Sequence, residues 1–193
     1  MAEQAEKFEY PRWLDELWAN EIRLEKLAAE LGDAGFVWTP AKGGWSAAQC
    51  VEHLVLTVRQ FLPLWDAALA SAEPGWKPVE YSWLDRQALH FMEPPYRMKS
   101  KTGKAFTPET ARTRQECLEM FRAAHELMKE RAERMKDLDV SRVQVPSPFL
   151  NWIHYNVAYS FDLALAHERR HLWQAEQNVP QVNLARDLAA QQS

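Results

Sequence analysis

Four stretches of this chain repeat apolar residues at intervals of three and four, which commits it to helices that bury one face each. The first runs from about Glu9 to Leu31, where Trp13, Leu17, Leu24, Leu27 and Leu31 form a stripe. Pro11 falls in its first turn, where a missing N–H costs nothing, and Gly32, Gly35 and Pro40 mark its end. The second opens on Ser46-x-x-Gln49, a capping-box spacing, and should reach about Ala72, with Pro63 inside as a kink. For the third, Thr107 is the expected cap, with Pro108 and Glu109 in the first turn. Leu118, Phe121, His125, Met128, Ala132 and Met135 then make its seam. A loop from Asp137 to about Pro148 follows, and the fourth helix is read from near Phe149 to Gln177, stopping before Pro180. Four stripes of this kind are buried most economically in an all-α four-helix bundle.

The segment between the second and third helices, from Glu73 to Phe106, is irregular and holds Pro74, Pro78, Pro94, Pro95 and Gly103. A short helix over Ser82 to Leu89 fits within it. A connection this long needs a reason. It can cross the length of a bundle, or it can lid a site with Trp83, His90, Phe91 and Tyr96. The whole chain, 1–193, reads as one domain, with 1–8 and 181–193 peripheral and the tail good for at most a short amphipathic turn.

Composition narrows the function. The net charge is −4 and the pI about 5.9, which argues against nucleic acid as a partner; the basic run Arg97 to Lys104 reads as a solvated loop. No apolar run has the ~18 residues of a membrane span, and the polar start lacks a signal peptide's apolar core. Cys50 and Cys117, with no C-x-x-C, make no disulfide framework, so a cytoplasmic protein is the simplest reading. Nine Trp are a surplus that implies a thick aromatic core, a lined pocket or an interface.

The chemistry concentrates on two faces. In the fourth helix Ser160, Leu163, Ala164, His167, His171 and Gln174 share a side, and imidazoles at i and i+4 can grip one ion. In the second, Ser46, Gln49, Cys50, His53, Thr57 and Gln60 make a face unusually polar for one that should look inward. Joining these faces inside a bundle brings three imidazoles together. Neutral imidazole suits Zn²⁺, Ni²⁺ or Fe²⁺, and three His with no fourth protein ligand leave positions open for water or substrate.

Trp45-Ser46-x-x-Gln49-x-x-x-His53-Leu54, followed much later by His167-Glu168-x-x-His171-x-x-Gln174, resembles the DinB/YfiT-like family of metalloproteins over nearly the whole chain. The resemblance implies a four-helix bundle with a long connection between helices two and three. It also implies a divalent metal held by His53, His167 and His171. Relatives include thiol-dependent S-transferases and a thiol-dependent isomerase, so it implies an enzyme whose metal activates a low-molecular-weight thiol or water against a small electrophile. A non-catalytic metal clip in a stress-related protein, and a homodimeric interaction module, are the alternatives.

Further residues carry expectations of their own. Gln49 is a candidate to orient His53 or a metal-bound water, with its place in the cap the preferred reading. Thr57, Gln60 and Gln174 are candidates for the pocket wall beside the ligands. Glu52 and Glu168 sit about 100° from their neighbouring ligands on the helical wheel and are expected on solvated faces. Arg170 is expected at the surface, Tyr155 and Tyr159 in packing, Cys50 as a small buried residue, and His125 as a buried imidazole bonded to a carbonyl. His90 and His154 have no assigned partner.

Overall fold

The computed structural model describes residues 10–41, 43–95, 102–109, 112–150 and 152–191. The polar lead at 1–8, Tyr96 and most of the basic run at 97–104 lie outside the described residues.

The chain is mostly helical. Helix α1 spans Tyr10–Phe36, α2 Ala47–Ala70, α4 Arg114–Met135 and α5 Val157–Glu176, with a shorter α3 at Trp83–Met92 and α6 at Val179–Ala190. Of the long helices, α1 packs on α4 and α5, and α2 packs on the same two, so the four form a ring around one core. The apolar stripes meet there: Trp13 and Trp65 flank Phe161 at centroid distances of 4.5 and 5.1 Å, and Phe36, Phe61 and Phe121 are buried with them. All five stripe residues read from α1 are buried. Gly32 does interrupt that helix, at φ 61°, but a last turn resumes as far as Phe36. Gly35 has a packing role: a Cβ there would stand 2.8 Å from Val182 Cγ1 of α6.

Ser46 and Gln49 form the expected capping box and start α2. In the connection, Ser82 and Asp85 form another and start α3, close to where the sequence placed it. The described part of the connection is tied down at several points. Its first residues, β1 (Glu73–Pro74), pair antiparallel with β2 (Leu138–Asp139). Tyr81 donates to Asp162 Oδ2 at 2.6 Å. Asp162, buried in α5, accepts from Trp13 Nε1 and Arg12 through its other oxygen. Arg169 of α5 holds Glu93 just beyond α3, and Glu16 of α1 as well.

Three boundaries differ from expectation. Helix α4 begins after Thr113, which makes a capping box with Glu116, while Thr107 closes a single 3-10 turn at Lys104–Phe106. The Thr107 hydroxyl donates to the Gly103 carbonyl at 3.1 Å and so ties the end of that turn rather than starting a helix. Helix α5 begins only at Val157, capped by Asn156, because β3 (Gln144–Pro146) and β4 (His154–Asn156) pair as an antiparallel hairpin ahead of it. And the tail is helical: α6 accommodates Pro180 in its first turn and docks on α1, where Arg186 donates to the carbonyls of Glu30 and Leu31.

Candidate metal centre

His53 projects from the middle of the buried half of α2, and His167 and His171 from one face of α5. One nitrogen from each ring lies within 4.8 Å of the others. The ring centroids are 4.5 to 5.0 Å apart and the planes cross steeply, at 64° to 77°, so the rings converge edge to edge rather than stack.

The details of the cluster suit a cation. His53 Nδ1 lies 2.7 Å from the carbonyl oxygen of Phe106. A carbonyl only accepts, so Nδ1 carries the proton and Nε2 keeps its lone pair. That Nε2 faces His167 Nε2 at 3.2 Å. Two nitrogens bound to one tetrahedral ion at ~2.0–2.1 Å would stand about 3.3 Å apart. His171 Nδ1 is buried with no hydrogen-bond partner among the described residues, a cost that a bound ion or a water would relieve. The three residues therefore form a group that could hold a metal ion.

Electrostatics keep the rings neutral. Burial lowers the pKa of His53, against the pull of the Phe106 carbonyl. His167 is held well below the usual range by burial, then by His171, His53 and Arg170. Burial, His53 and Arg170 bring His171 down to about 3, with Gln174 opposing. Neutral imidazole is the metal-binding form, so the site is ready for an ion without first losing protons. In the metal-free protein the same shifts carry a stability cost in acid. The unfolded chain protonates these groups near pH 6.5 and the folded chain does not, so stability falls as pH drops below that value. For His171 alone the loss by pH 5 is about 2 kcal/mol. Urea unfolding of metal-free protein at pH 7 and pH 5 should show this loss, and the H171A variant should show less of it.

Around the cluster, Trp45 lies 4.7 Å from His53 and is stacked on His171 at 5.6 Å and 29°. Its carbonyl is fixed by Asn178 Nδ2 at 3.0 Å. Phe149, from the hairpin turn, stands edge-on to His167 at 6.2 Å and packs against Phe106 at 4.8 Å. Thr57 is buried, and its hydroxyl donates to the His53 carbonyl at 2.9 Å, so it steadies the helix behind the ligand. Gln174 acts on His171. Gln49 spends its side chain on the cap of α2. Gln60, expected in the pocket wall, is exposed, because the polar side of α2 turns to solvent beyond Val58.

The two acidic neighbours overturn their reading as solvated. Glu52 is 4% exposed and reaches toward Arg112 at 3.5 Å. Glu168 is 1% exposed, accepts from Asn20 Nδ2 at 2.9 Å, and meets His125 Nε2 at 3.2 Å. His125 is buried as expected, but its partners are the carboxylates of Glu168 and Glu21 rather than a carbonyl. Arg170, expected at the surface, is half-buried beside His167 and His171. His90 and His154 are exposed, Tyr159 is buried and Tyr155 half-buried. Both cysteines are buried, which raises the Cys50 thiol and pushes Cys117 up to about 12, so neither serves as a nucleophile. The Phe106 carbonyl left no trace in the sequence, since any residue supplies one.

Four long helices in a ring, with three imidazoles gathered between the second and the last of them, define a helical protein with a metal-binding type of site. A family model of the DinB superfamily matches residues 16–175, and the chain belongs to that superfamily. Comparison with curated proteins and with solved structures gave no significant match. Among the described residues no helix is long and apolar enough to cross a membrane.

Proposed function

We propose that the protein is a metal-dependent enzyme in which His53, His167 and His171 hold one divalent ion, and that a small thiol is its nucleophile. The observation that carries this reading is the neutrality of the donor set: three imidazoles offer nitrogens within 4.8 Å of one another, and among the described residues no carboxylate joins the group. The glutamate that follows His167 is turned into the core, bonded to Asn20 and His125, and is out of position to take a proton from water at the site. A reaction here thus depends on a nucleophile that loses its proton on binding. A divalent ion would lower the pKa of a thiol or water at its open position and present it to a small electrophile. The chain's own part is to orient. The Phe106 carbonyl fixes the tautomer of His53, Trp45 braces His53 and His171, and Phe149 and Phe106 set an apolar wall beside His167.

Tag-free protein loaded with Zn²⁺ or Co²⁺ should conjugate a small thiol to a haloalkyl electrophile at least about tenfold faster than the same free ion. A rate equal to that of free ion favours the alternative of a non-catalytic metal clip. The homodimer reading rests on Trp18, Trp83 and Trp152, exposed at 64, 70 and 73%. Sedimentation at dilute concentration tests it, a strict monomer counting against it.

A further inference from the structure

Resting on the thiol reading above, we infer that the electrophile carries an apolar group, aryl or alkyl, and that the tip of the β3–β4 hairpin holds it through Phe149, Leu150 and Trp152. These side chains are 41, 48 and 73% exposed. Large apolar residues left open on a loose loop would mean little, but this tip is tied. The buried Ser147 hydroxyl accepts from the amides of Phe149 and Leu150 at 3.2 Å each. The Ser147 amide donates to the Ile153 carbonyl at 2.7 Å, and the Ile153 amide donates to the Leu150 carbonyl at 2.8 Å. Behind the tip, β3 and β4 are paired. The backbone that presents the three side chains is thus held in place before anything docks on it, which keeps the ordering cost of docking low.

What the tip adjoins says what covers it. Phe149 packs on Phe106 at 4.8 Å and on Phe61 at 6.1 Å, and its ring stands edge-on to His167 at 6.2 Å. The carbonyl of that same Phe106 holds His53. Exposure then rises along the tip to Trp152, so the apolar surface begins at the imidazoles and opens to solvent. Rings of this kind carry ~150–250 Å² each, so Phe149 and Trp152 leave roughly 200 Å² open. A stable protein interface takes ~800 Å² from each partner, so the patch suits a small molecule's apolar group better than a second chain. An electrophile seated on it has its tail on the hairpin and its reacting carbon toward His167. The thiolate sulfur bonds to that carbon as the bond to the leaving group breaks. The leaving group departs with the bonding pair, and the thiol's proton goes to solvent.

The test uses the full chain loaded with Zn²⁺, a small thiol, and three 2-chloroacetamides that share one reacting carbon and differ in the N-substituent: methyl, butyl and benzyl. Divided by the uncatalysed rate, kcat/KM should rise in that order, with benzyl about tenfold above methyl. The gain should sit in KM, because the tip meets the tail and not the reacting atoms. In the double variant W152S/L150S the benzyl-to-methyl ratio should fall to within about twofold of one, and W152F should keep most of it. Both positions are open to solvent, so these substitutions leave the core alone. A second readout needs no turnover. N-benzylacetamide, which lacks the chlorine, should move the Phe149 and Leu150 amides and the Trp152 indole N–H in a nitrogen–proton correlation spectrum, and N-methylacetamide should not. A ratio near one in the unmodified protein, or a ratio that survives W152S/L150S, overturns this inference and leaves the thiol reading standing. If no chloroacetamide reacts faster than with free ion, the thiol reading fails, and the spectrum alone decides whether the tip takes apolar groups. A dimer in sedimentation that W152S/L150S dissociates also overturns the inference, since a second copy would then cover the tip.

Discussion

Changing His167 to Ala should lower the metal bound by tag-free protein from about one ion per chain to below about 0.1, and H53A and H171A should do the same. Each substitution leaves two imidazoles. In H53A the remaining pair sits on one helix turn, and in the other two the pair bridges α2 and α5 with no third donor. Two neutral donors are a poor site for any first-row dication, whereas three within 4.8 Å are a competent one. The second readout is thermal. An ion present at 100 times its dissociation constant should stabilise the unmodified protein by about 2.7 kcal/mol, and the variants should show no such shift. The metal-free variants need not be unstable, because Ala removes the buried, unpartnered Nδ1 of His171 or the neutral rings beside it. Undiminished metal content, by elemental analysis of the three variants, would place the ion elsewhere and end this reading of the site.

The grouping of the three imidazoles was legible because two kinds of signal agreed. Helical spacing put His167 and His171 on one side of a helix and His53 on a polar face of α2, and the resemblance to the DinB/YfiT-like family implied the same three residues. What supports the ligands was not legible. The Phe106 carbonyl reaches His53 from a single 3-10 turn at the end of a long connection, and neither the turn nor a backbone acceptor has a side-chain signature. The start of α5 was misplaced because Phe149 to Tyr155 is as rich in large residues as a helix would be. The hairpin that claims it is specified by pairing with Gln144–Pro146, a partner outside any local window.

Glu168 is the more instructive error. Judged from His167 it points away, and away from the ligands was taken to mean toward water. In the fold, Phe161, Leu165, Glu168, Leu172 and Ala175 are all buried on the inner stripe of α5. The ligand face is the flank, not the centre. The same oversight left a gap in the α1 stripe between Leu17 and Leu24, which Asn20 fills, buried and bonded to Glu168. The seam of α4 likewise carries His125. Asn20, His125 and Glu168 are polar residues at core positions of three different helices, and since a buried polar group needs a partner, the three interruptions belong together. Read jointly they would have located this cluster from the sequence.

That cluster should dominate the pH dependence of stability on the alkaline side. Burial alone would depress His125, but Glu168 and Glu21, bonded to its two ring nitrogens, together raise it to about 9. The folded state therefore binds a proton that the unfolded chain gives up near pH 6.5. This contribution is fully present below pH 6.5 and is lost as pH rises through about 9. The shift corresponds to about 3 kcal/mol. Urea unfolding from pH 6 to pH 10 should show a decline of that order, and H125Q, which cannot titrate, should flatten it. Removing one partner should cost more than the shift does. E168A leaves a buried imidazolium with only Glu21, beside an Asn20 amide that has lost its acceptor, and should destabilise by about 3–5 kcal/mol near neutral pH. E168Q, which keeps an acceptor for Asn20 and removes the charge, should fall between the two. A stability profile flat from pH 6 to pH 10 in the unmodified protein would mean that His125 is neutral in the core. The pairing of Glu168 with it would then be an ordinary hydrogen bond, and E168Q would cost little.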